Sequence, residues 1–194
     1  MTQSLASSGC PRAEVVHDFS LDKYKGVWYE MLRSNGNDFE SGDCVTANYT
    51  LRDDGYIRVL NSQQKRDADS NELLERDYAE GWAKFRVNET VGKLGVKFSE
   101  FQPSYANYDV IDTDYDSYAL IYHCHEGLLS GYTELAWILT REPRIFQEQS
   151  SEFQQKVKAT FTQKVPGFNF DKLFEGISVV QGEANGCDYS YTYK

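Results

Sequence analysis

Between residues 25 and 140 the chain consists mainly of short stretches in which apolar and polar residues alternate. Such alternation is typical of strands that bury one face, and turn-forming residues separate the stretches about every ten residues. The predicted strands cover residues 25–33, 44–51, 56–60, 79–87, 94–101, 108–112, 118–123 and 132–140. The pattern predicts an antiparallel barrel of eight short strands.

The hydrophobic period changes after residue 144. Apolar residues then recur at intervals of seven, four and four positions, at Phe146, Phe153, Val157 and Phe161. This spacing places them on one face of an amphipathic helix, and a proline–glycine pair at 166–167 ends it. We therefore predict one domain over residues 1–194, with a barrel at about 24–141, an outer helix at about 145–164 and a tail at 165–194.

The acidic composition narrows the range of partners. The net charge is -10 and the sequence pI is about 4.8. The electric field of a protein with this negative charge repels nucleic acids and anionic membrane surfaces, so we expect no nucleic-acid partner. No apolar run approaches the roughly 20 residues that span a bilayer, so we expect no membrane insertion.

Four cysteines, Cys10, Cys44, Cys124 and Cys187, occur without a Cys-x-x-Cys spacing. Two lie near the termini and two within predicted strands, which suits disulfides that tie the chain ends to a barrel. Three pairings are open. Disulfides indicate an oxidising compartment, yet residues 1–9 lack the basic and apolar regions of a signal peptide. We interpret the sequence as a mature, secreted chain whose signal peptide was removed, with Met1 added or the numbering reset.

Three short motifs occur in a fixed order. A glycine and a tryptophan, Gly26 and Trp28, open the first strand; Thr113, Asp114 and Tyr115 form a turn; and Arg141 follows the last strand. A guanidinium over an indole is a favourable cation–π pair that closes one end of a barrel. In this order the motifs resemble the three signature regions of the lipocalin family. Segments 9–11, 42–44, 47–50, 59–61, 96–99, 113–120 and 136–139 are similar to apolipoprotein D-like lipocalins, and the resemblance covers roughly residues 10 to 187.

The resemblance implies a mainly β fold: an eight-stranded antiparallel up-and-down β-barrel with one C-terminal α-helix packed outside. It gives Gly26, Trp28, Arg141 and the turn at 113–115 structural roles. It also implies the disulfides Cys10–Cys124 and Cys44–Cys187, and it places the polar loop 34–43 over the open mouth.

By position, the resemblance maps ligand contacts onto Tyr49, Asn61, Tyr108 and Trp137, and we add Tyr118 and Phe98 as further candidates. Aromatic faces with an amide and phenols suit a flat, largely apolar guest. The alternative for each residue is a core or rim position without ligand contact. If Trp137 points inward, strand alternation places Leu135 and Leu139 inside as well and turns Ala136 and Ile138 towards the helix.

Several other residues are candidates for metal binding, for a buried charge or for glycosylation. His123 and His125 flank a cysteine, but no third ligand is suggested, so we predict no metal site. Glu30 shares the parity of Trp28 and is either an internal carboxylate or one at the rim or paired with a base. The sequons at Asn48 and Asn88 are candidate glycosylation sites, and Asn48 faces outward if Tyr49 faces inward.

We expect a secreted protein that binds, transports or sequesters one small hydrophobic molecule: a fatty acid, steroid or retinoid, or a pigment such as a carotenoid or bilin. No cofactor is required, although a bound chromophore or lipid is compatible with the sequence, as is a homo-oligomer. We predict no enzymatic activity, because no catalytic motif occurs and every cysteine matches a disulfide position of the family. A lipocalin-type enzyme acting on a lipid and a signalling or inhibitory protein acting through surface loops are the alternatives.

Overall fold

A computed structural model describes residues 9–36, 40–87, 90–127, 131–175 and 179–190. Within these residues eight antiparallel strands close into a barrel in sequence order, and the last strand pairs with the first. The strands are β1 Gly26–Arg33, β2 Asp43–Leu51, β3 Ile57–Arg66, β4 Leu73–Phe85, β5 Lys93–Lys97, β6 Ala106–Thr113, β7 Tyr118–Glu126 and β8 Tyr132–Thr140. The predicted up-and-down barrel is confirmed.

The helices lie at the two ends of the chain. They are α1 Leu21–Tyr24, α2 Ser151–Lys164 and α3 Phe170–Leu173, with 3-10 turns at Phe146–Glu148 and Glu183–Asn185. The long helix α2 begins later than the expected residue 145. The Ser150 side chain accepts a hydrogen bond from the backbone N–H of Phe153, and this N-cap fixes the start of the helix.

The fifth strand is shorter than its apolar sequence predicts. It ends at Lys97, and the next residues form a loop. The Gln102 side chain accepts the N–H of Phe98 and donates to the carbonyl of Val96, so it takes the place of a strand partner. Phe101, which the sequence placed in the strand, is 97% exposed on this loop.

Strand alternation divides the buried side chains into an inner and an outer group. The inner group fills the barrel and includes Trp28, Ile57, Leu94, Val110 and Ile121. The outer group packs beneath α2 and α3 and includes Leu120, Ala136, Ile138, Val157 and Phe161. The predicted orientation of β8, with residue 137 inside and residues 136 and 138 outside, agrees with this division.

The closed end of the barrel is built around Arg141. Its guanidinium lies 3.7 Å from the centroid of the Trp28 ring. It also donates to four backbone carbonyls, at 2.8–3.2 Å, on Val27, Lys23, Tyr24 and Tyr115. Gly26 adopts a positive φ of 95°, and a Cβ there would lie 3.5 Å from the guanidinium. The three sequence motifs therefore meet at one end of the barrel.

The turn between β6 and β7 is held by its own side chains. One carboxylate oxygen of Asp114 accepts the N–H groups of Asp116, Ser117 and Tyr118. The Thr113 hydroxyl donates to the carbonyl of Tyr118 at 2.6 Å. This turn presents the Tyr115 carbonyl to Arg141, so its geometry supports the closed end.

Two disulfides tie the terminal segments to the barrel. Cys10 is bonded to Cys124 in β7, and Cys44 in β2 is bonded to Cys187. This is the pairing that the resemblance implied, and it is confirmed. Each closes a loop of more than a hundred residues, with sequence separations of 114 and 143. Long closed loops restrict the unfolded chain most strongly in the chain-entropy model.

None of the helices in the described ranges combines the length and apolar character that crossing a membrane requires.

Replacing Trp28 by alanine should destabilise the protein by about 3–5 kcal/mol, as for other large core truncations. The indole is fully buried, donates to the Tyr24 carbonyl at 2.8 Å and carries Arg141 on its face. Equilibrium denaturation with urea measures the loss.

The matched control is Trp82→Ala, since this tryptophan is only half-buried and bonds to Tyr105 outside the barrel. It should cost clearly less. Equal losses for the two variants would show that Trp28 does not anchor the closed end.

Candidate ligand-binding site

The barrel interior contains a chamber with two parts. An inner cavity of about 160 Å³ lies above the closed end, and an outer cavity of about 470 Å³ extends towards the β3–β4 hairpin at the opposite end. Both parts are lined by Glu40, Val45, Asn61, Val96, Phe98 and Ala106. Because the walls are mainly apolar and aromatic, the chamber suits a small hydrophobic guest.

Five of the six candidate ligand contacts line the inner cavity. They are Tyr49, Asn61, Phe98, Tyr108 and Trp137. They come from β2, β3, β6, β8 and the loop after β5, so the barrel brings together residues that are far apart in sequence. Leu135 and Leu139 flank Trp137 on the same inward face of β8.

Tyr118 is the exception, and its assignment to the ligand site is wrong. Its ring packs edge-on against Phe153 of α2, and its hydroxyl donates to Asp112 at 2.5 Å. The neighbouring residue Ala119 belongs to the inner group of buried side chains. Because successive side chains of a strand point to opposite faces, Tyr118 faces outward.

Three tyrosine hydroxyls form a chain at the bottom of the chamber. The Tyr108 hydroxyl lies 2.7 Å from that of Tyr24 and 2.8 Å from that of Tyr49. Burial raises the pKa of each of these tyrosines above its ordinary value. They therefore stay neutral, and they give the chamber a polar but uncharged spot.

Glu30 is both an internal carboxylate and the partner of a base. It is 2% exposed, lines the inner cavity and accepts a hydrogen bond from the Arg33 guanidinium at 2.6 Å. The second nitrogen of Arg33 donates to the Gly42 carbonyl at 3.0 Å. The ion pair is thus held between β1 and the end of the loop that leads into β2.

Glu40 is a lining residue that the sequence did not reveal. It lies in the loop 34–43, of which residues 37–39 are outside the described ranges, and it accepts the indole N–H of Trp137 at 2.8 Å. It also interacts with the Glu30 carboxyl. A loop has no hydrophobic period, so no sequence pattern indicated that this carboxylate turns into the chamber.

The two carboxyl groups share one nearby cation. Burial, and then the charge of Glu40, raise the pKa of Glu30 from 4.5 to about 8, although Arg33 acts in the opposite direction. One guanidinium compensates one carboxylate. Near neutral pH the Glu30–Glu40 pair therefore retains a proton.

His123 also lines the inner cavity. Its Nδ1 lies 2.7 Å from the Asn107 carbonyl, and burial lowers its pKa. The ring is therefore neutral at physiological pH. His125, two residues further along β7, is exposed. The described residues contain no group of three or more His, Cys, Asp or Glu that could hold a metal ion.

Of the two candidate glycosylation sites, Asn48 lies on β2 between the inward-facing Ala47 and Tyr49. Its side chain faces outward by alternation and is partly exposed. Asn88 lies outside the described residues. Glycosylation of both remains a prediction.

The barrel, its closed end and its apolar chamber are the features of a binding protein, and comparison with known proteins identifies the family. The sequence model described as "Lipocalin-like domain" matches residues 19–173. The chain belongs to the lipocalin family.

Individual relatives are consistent with this assignment. Apolipoprotein D of Cavia porcellus is 39% identical over 139 residues, which is 72% of this chain and 69% of the relative. Insecticyanin of the tobacco hornworm Manduca sexta has a similar structure, with a TM-score of 0.69, 25% identity and coverage of 93% of this chain and 90% of that one. Lobster apocrustacyanin A1, at 18% identity and a TM-score of 0.63 over 93% and 95% of the two chains, shares the fold.

Replacing Glu30 by glutamine should alter how stability depends on pH. The raised pKa means that the folded protein keeps a proton which the unfolded chain loses above pH 4.5. The stabilisation from this proton is complete below pH 4.5 and is lost as pH rises towards about 8. Relative to Glu30→Gln, the wild type should therefore lose up to about 1.4 kcal/mol per pH unit in this window.

Urea denaturation at several pH values measures the difference. The control is Glu75→Gln, which replaces an exposed carboxylate on β4 and should run parallel to the wild type. If the Glu30→Gln curve is also parallel, Glu30 does not hold a proton in the folded state.

Proposed function

We propose that this protein is an extracellular carrier that binds and sequesters one small hydrophobic molecule inside its barrel. The observation that supports this proposal is the chamber itself. It is closed at one end by Arg141 and Trp28, and it is lined by apolar and aromatic side chains. Most of the surface that borders this interior space is apolar, which favours a guest that is mostly apolar.

An extracellular location is supported by the disulfides. All four cysteines of the chain form intramolecular bonds, and such bonds persist in oxidising compartments. The same bonds leave no thiol for the cysteine-dependent chemistry of some lipocalin enzymes.

The proposed contacts are Tyr49, Asn61, Phe98, Tyr108 and Trp137, which come together on the chamber wall. Trp137 is central among them, because it lies between two leucines of β8 and its N–H is oriented by Glu40. The guest is a lipid, such as a fatty acid, steroid or retinoid, or a pigment, such as a carotenoid or bilin.

Replacing Trp137 by alanine should weaken binding of the neutral fluorescent probe N-phenyl-1-naphthylamine by about tenfold, which corresponds to about 1.4 kcal/mol. The substitution removes the large aromatic surface that β8 contributes to the chamber. Titration of the probe, followed by its fluorescence increase, measures the affinity.

The control is Trp82→Ala, which removes an equal side chain from the outside of the barrel and should leave probe binding unchanged. Circular dichroism verifies that both variants are folded. Unchanged affinity in Trp137→Ala, or no binding of the probe by the wild type, would contradict a carrier that uses this chamber.

Protein isolated from its natural source should contain the guest. An absorption spectrum, followed by organic extraction and mass spectrometry, identifies it. A visible band with a stoichiometric polyene or tetrapyrrole establishes a pigment carrier, and a colourless extract with one lipid establishes a lipid carrier. A reproducibly empty chamber would favour a protein that acts through its surface loops.

A further inference from the structure

Three phenol hydroxyls at the bottom of the chamber, those of Tyr24, Tyr108 and Tyr49, form what we call the tyrosine chain. The middle hydroxyl, on Tyr108, lies 2.7 Å from that of Tyr24 and 2.8 Å from that of Tyr49. Among the described residues these hydroxyls have no other hydrogen-bond partner. Each hydroxyl has one proton to donate, and each hydrogen bond uses one proton. The two bonds of the tyrosine chain therefore leave one spare proton.

The spare proton does not belong to Tyr24. This side chain is fully buried, packs against the rings of Phe19 and Trp28, and borders neither cavity. A buried donor without an acceptor is unfavourable, and the hydrogen-bond partner of this hydroxyl is Tyr108. Tyr24 therefore donates its proton to Tyr108.

The spare proton lies on a hydroxyl that borders the inner cavity. If Tyr108 donates to Tyr49, the proton of Tyr49 is spare, and if Tyr49 donates to Tyr108, the proton of Tyr108 is spare. Both residues line the inner cavity. Burial raises the pKa of both hydroxyls, so neither loses its proton near neutral pH. Either arrangement presents one O–H donor to a guest.

The carboxyl groups on the chamber wall have other partners. Glu30 accepts a hydrogen bond from Arg33 at 2.6 Å, and Glu40 accepts the indole N–H of Trp137 at 2.8 Å. The two carboxyl groups also interact with each other. Neither is hydrogen-bonded to a hydroxyl of the tyrosine chain. The spare proton therefore has no acceptor among the described residues of the wall.

We propose that the inner cavity binds an end of the guest that bears a carbonyl oxygen, and that the tyrosine chain donates a hydrogen bond to this oxygen. This recognition rests on the carrier function proposed above and specifies the buried end of the guest. A carbonyl oxygen accepts the spare proton and brings no proton of its own, so every hydroxyl proton of the chain is then bonded. A hydrocarbon end would bury the same donor without a partner, which is unfavourable.

The test compares 2-acetylnaphthalene with 2-ethylnaphthalene, which share their carbon skeleton and differ in one carbonyl oxygen. Displacement of N-phenyl-1-naphthylamine from the whole protein gives both dissociation constants. The constant for the ethyl compound divided by that for the acetyl compound measures the preference for the carbonyl group. A triple variant with Tyr24→Phe, Tyr49→Phe and Tyr108→Phe keeps the rings and removes the hydroxyls. This ratio should be about tenfold lower in the triple variant, because the carbonyl oxygen loses its donor.

Two single variants test the assignment further. Tyr118→Phe removes a phenol hydroxyl from the outer face of the barrel and should keep the wild-type ratio. Tyr49→Phe should lower the ratio less than the triple variant does, because Tyr108 then holds the spare proton. An unchanged ratio in a folded triple variant would overturn the proposal. An equally large effect of Tyr49→Phe would overturn the sharing of the proton within the tyrosine chain.

An infrared measurement on the wild-type protein decides the question even if the triple variant does not fold. The C=O stretch of bound 2-acetylnaphthalene, isolated by isotope labelling of the carbonyl carbon, should lie below its frequency in hexane, since a hydrogen bond weakens the C=O bond. If the compound binds and its band stays at the hexane frequency, the carrier function stands and the carbonyl recognition is wrong. If neither naphthalene compound nor the fluorescent probe binds, both are wrong.

Discussion

The contact of the Arg141 guanidinium with the Trp28 indole is the interaction on which the rest of the barrel depends. The guanidinium replaces water at four carbonyls and so joins the ends of β1, α1, β8 and the β6–β7 turn. Without this closure the interior would be open to water from both ends. An apolar chamber that excludes water requires a sealed base, and the tyrosine hydroxyls at its bottom stay buried for the same reason.

Much of the fold could be predicted from the sequence because a period of two and a period of 3.6 are strong signals. The existence of eight short strands follows from alternation and turn spacing, whereas the up-and-down order and the structural role of Arg141 were implied by the resemblance of motifs at fixed positions. Strand and helix ends were less predictable. They depend on single side chains, such as Ser150 at the start of α2 and Gln102 beyond β5, whose hydrogen bonds no periodicity records.

The candidate site also combines residues that the sequence could place with residues that it could not. Tyr49 and Trp137 could be placed in the chamber because the family resemblance maps ligand contacts onto them, and the alternation of their strands agrees with that position. The same rule, applied from Ala119 or Ile121, turns Tyr118 away from the chamber, so that residue was misassigned although the signal was present. Glu40 is different. Its position depends on how a loop folds back to Trp137, and a loop sequence does not determine that path.

The wall of this barrel is a single layer of strands whose two faces have separate neighbours. Residues such as Leu139 and Ile121 contact the chamber, whereas Leu120 and Ile138 contact the outer helix. In evolution, substitutions on the inner face can therefore reshape the chamber for another guest while the packing beneath α2 is retained. Descendants of one ancestral barrel can diversify in what they carry without first having to rebuild the scaffold that carries it.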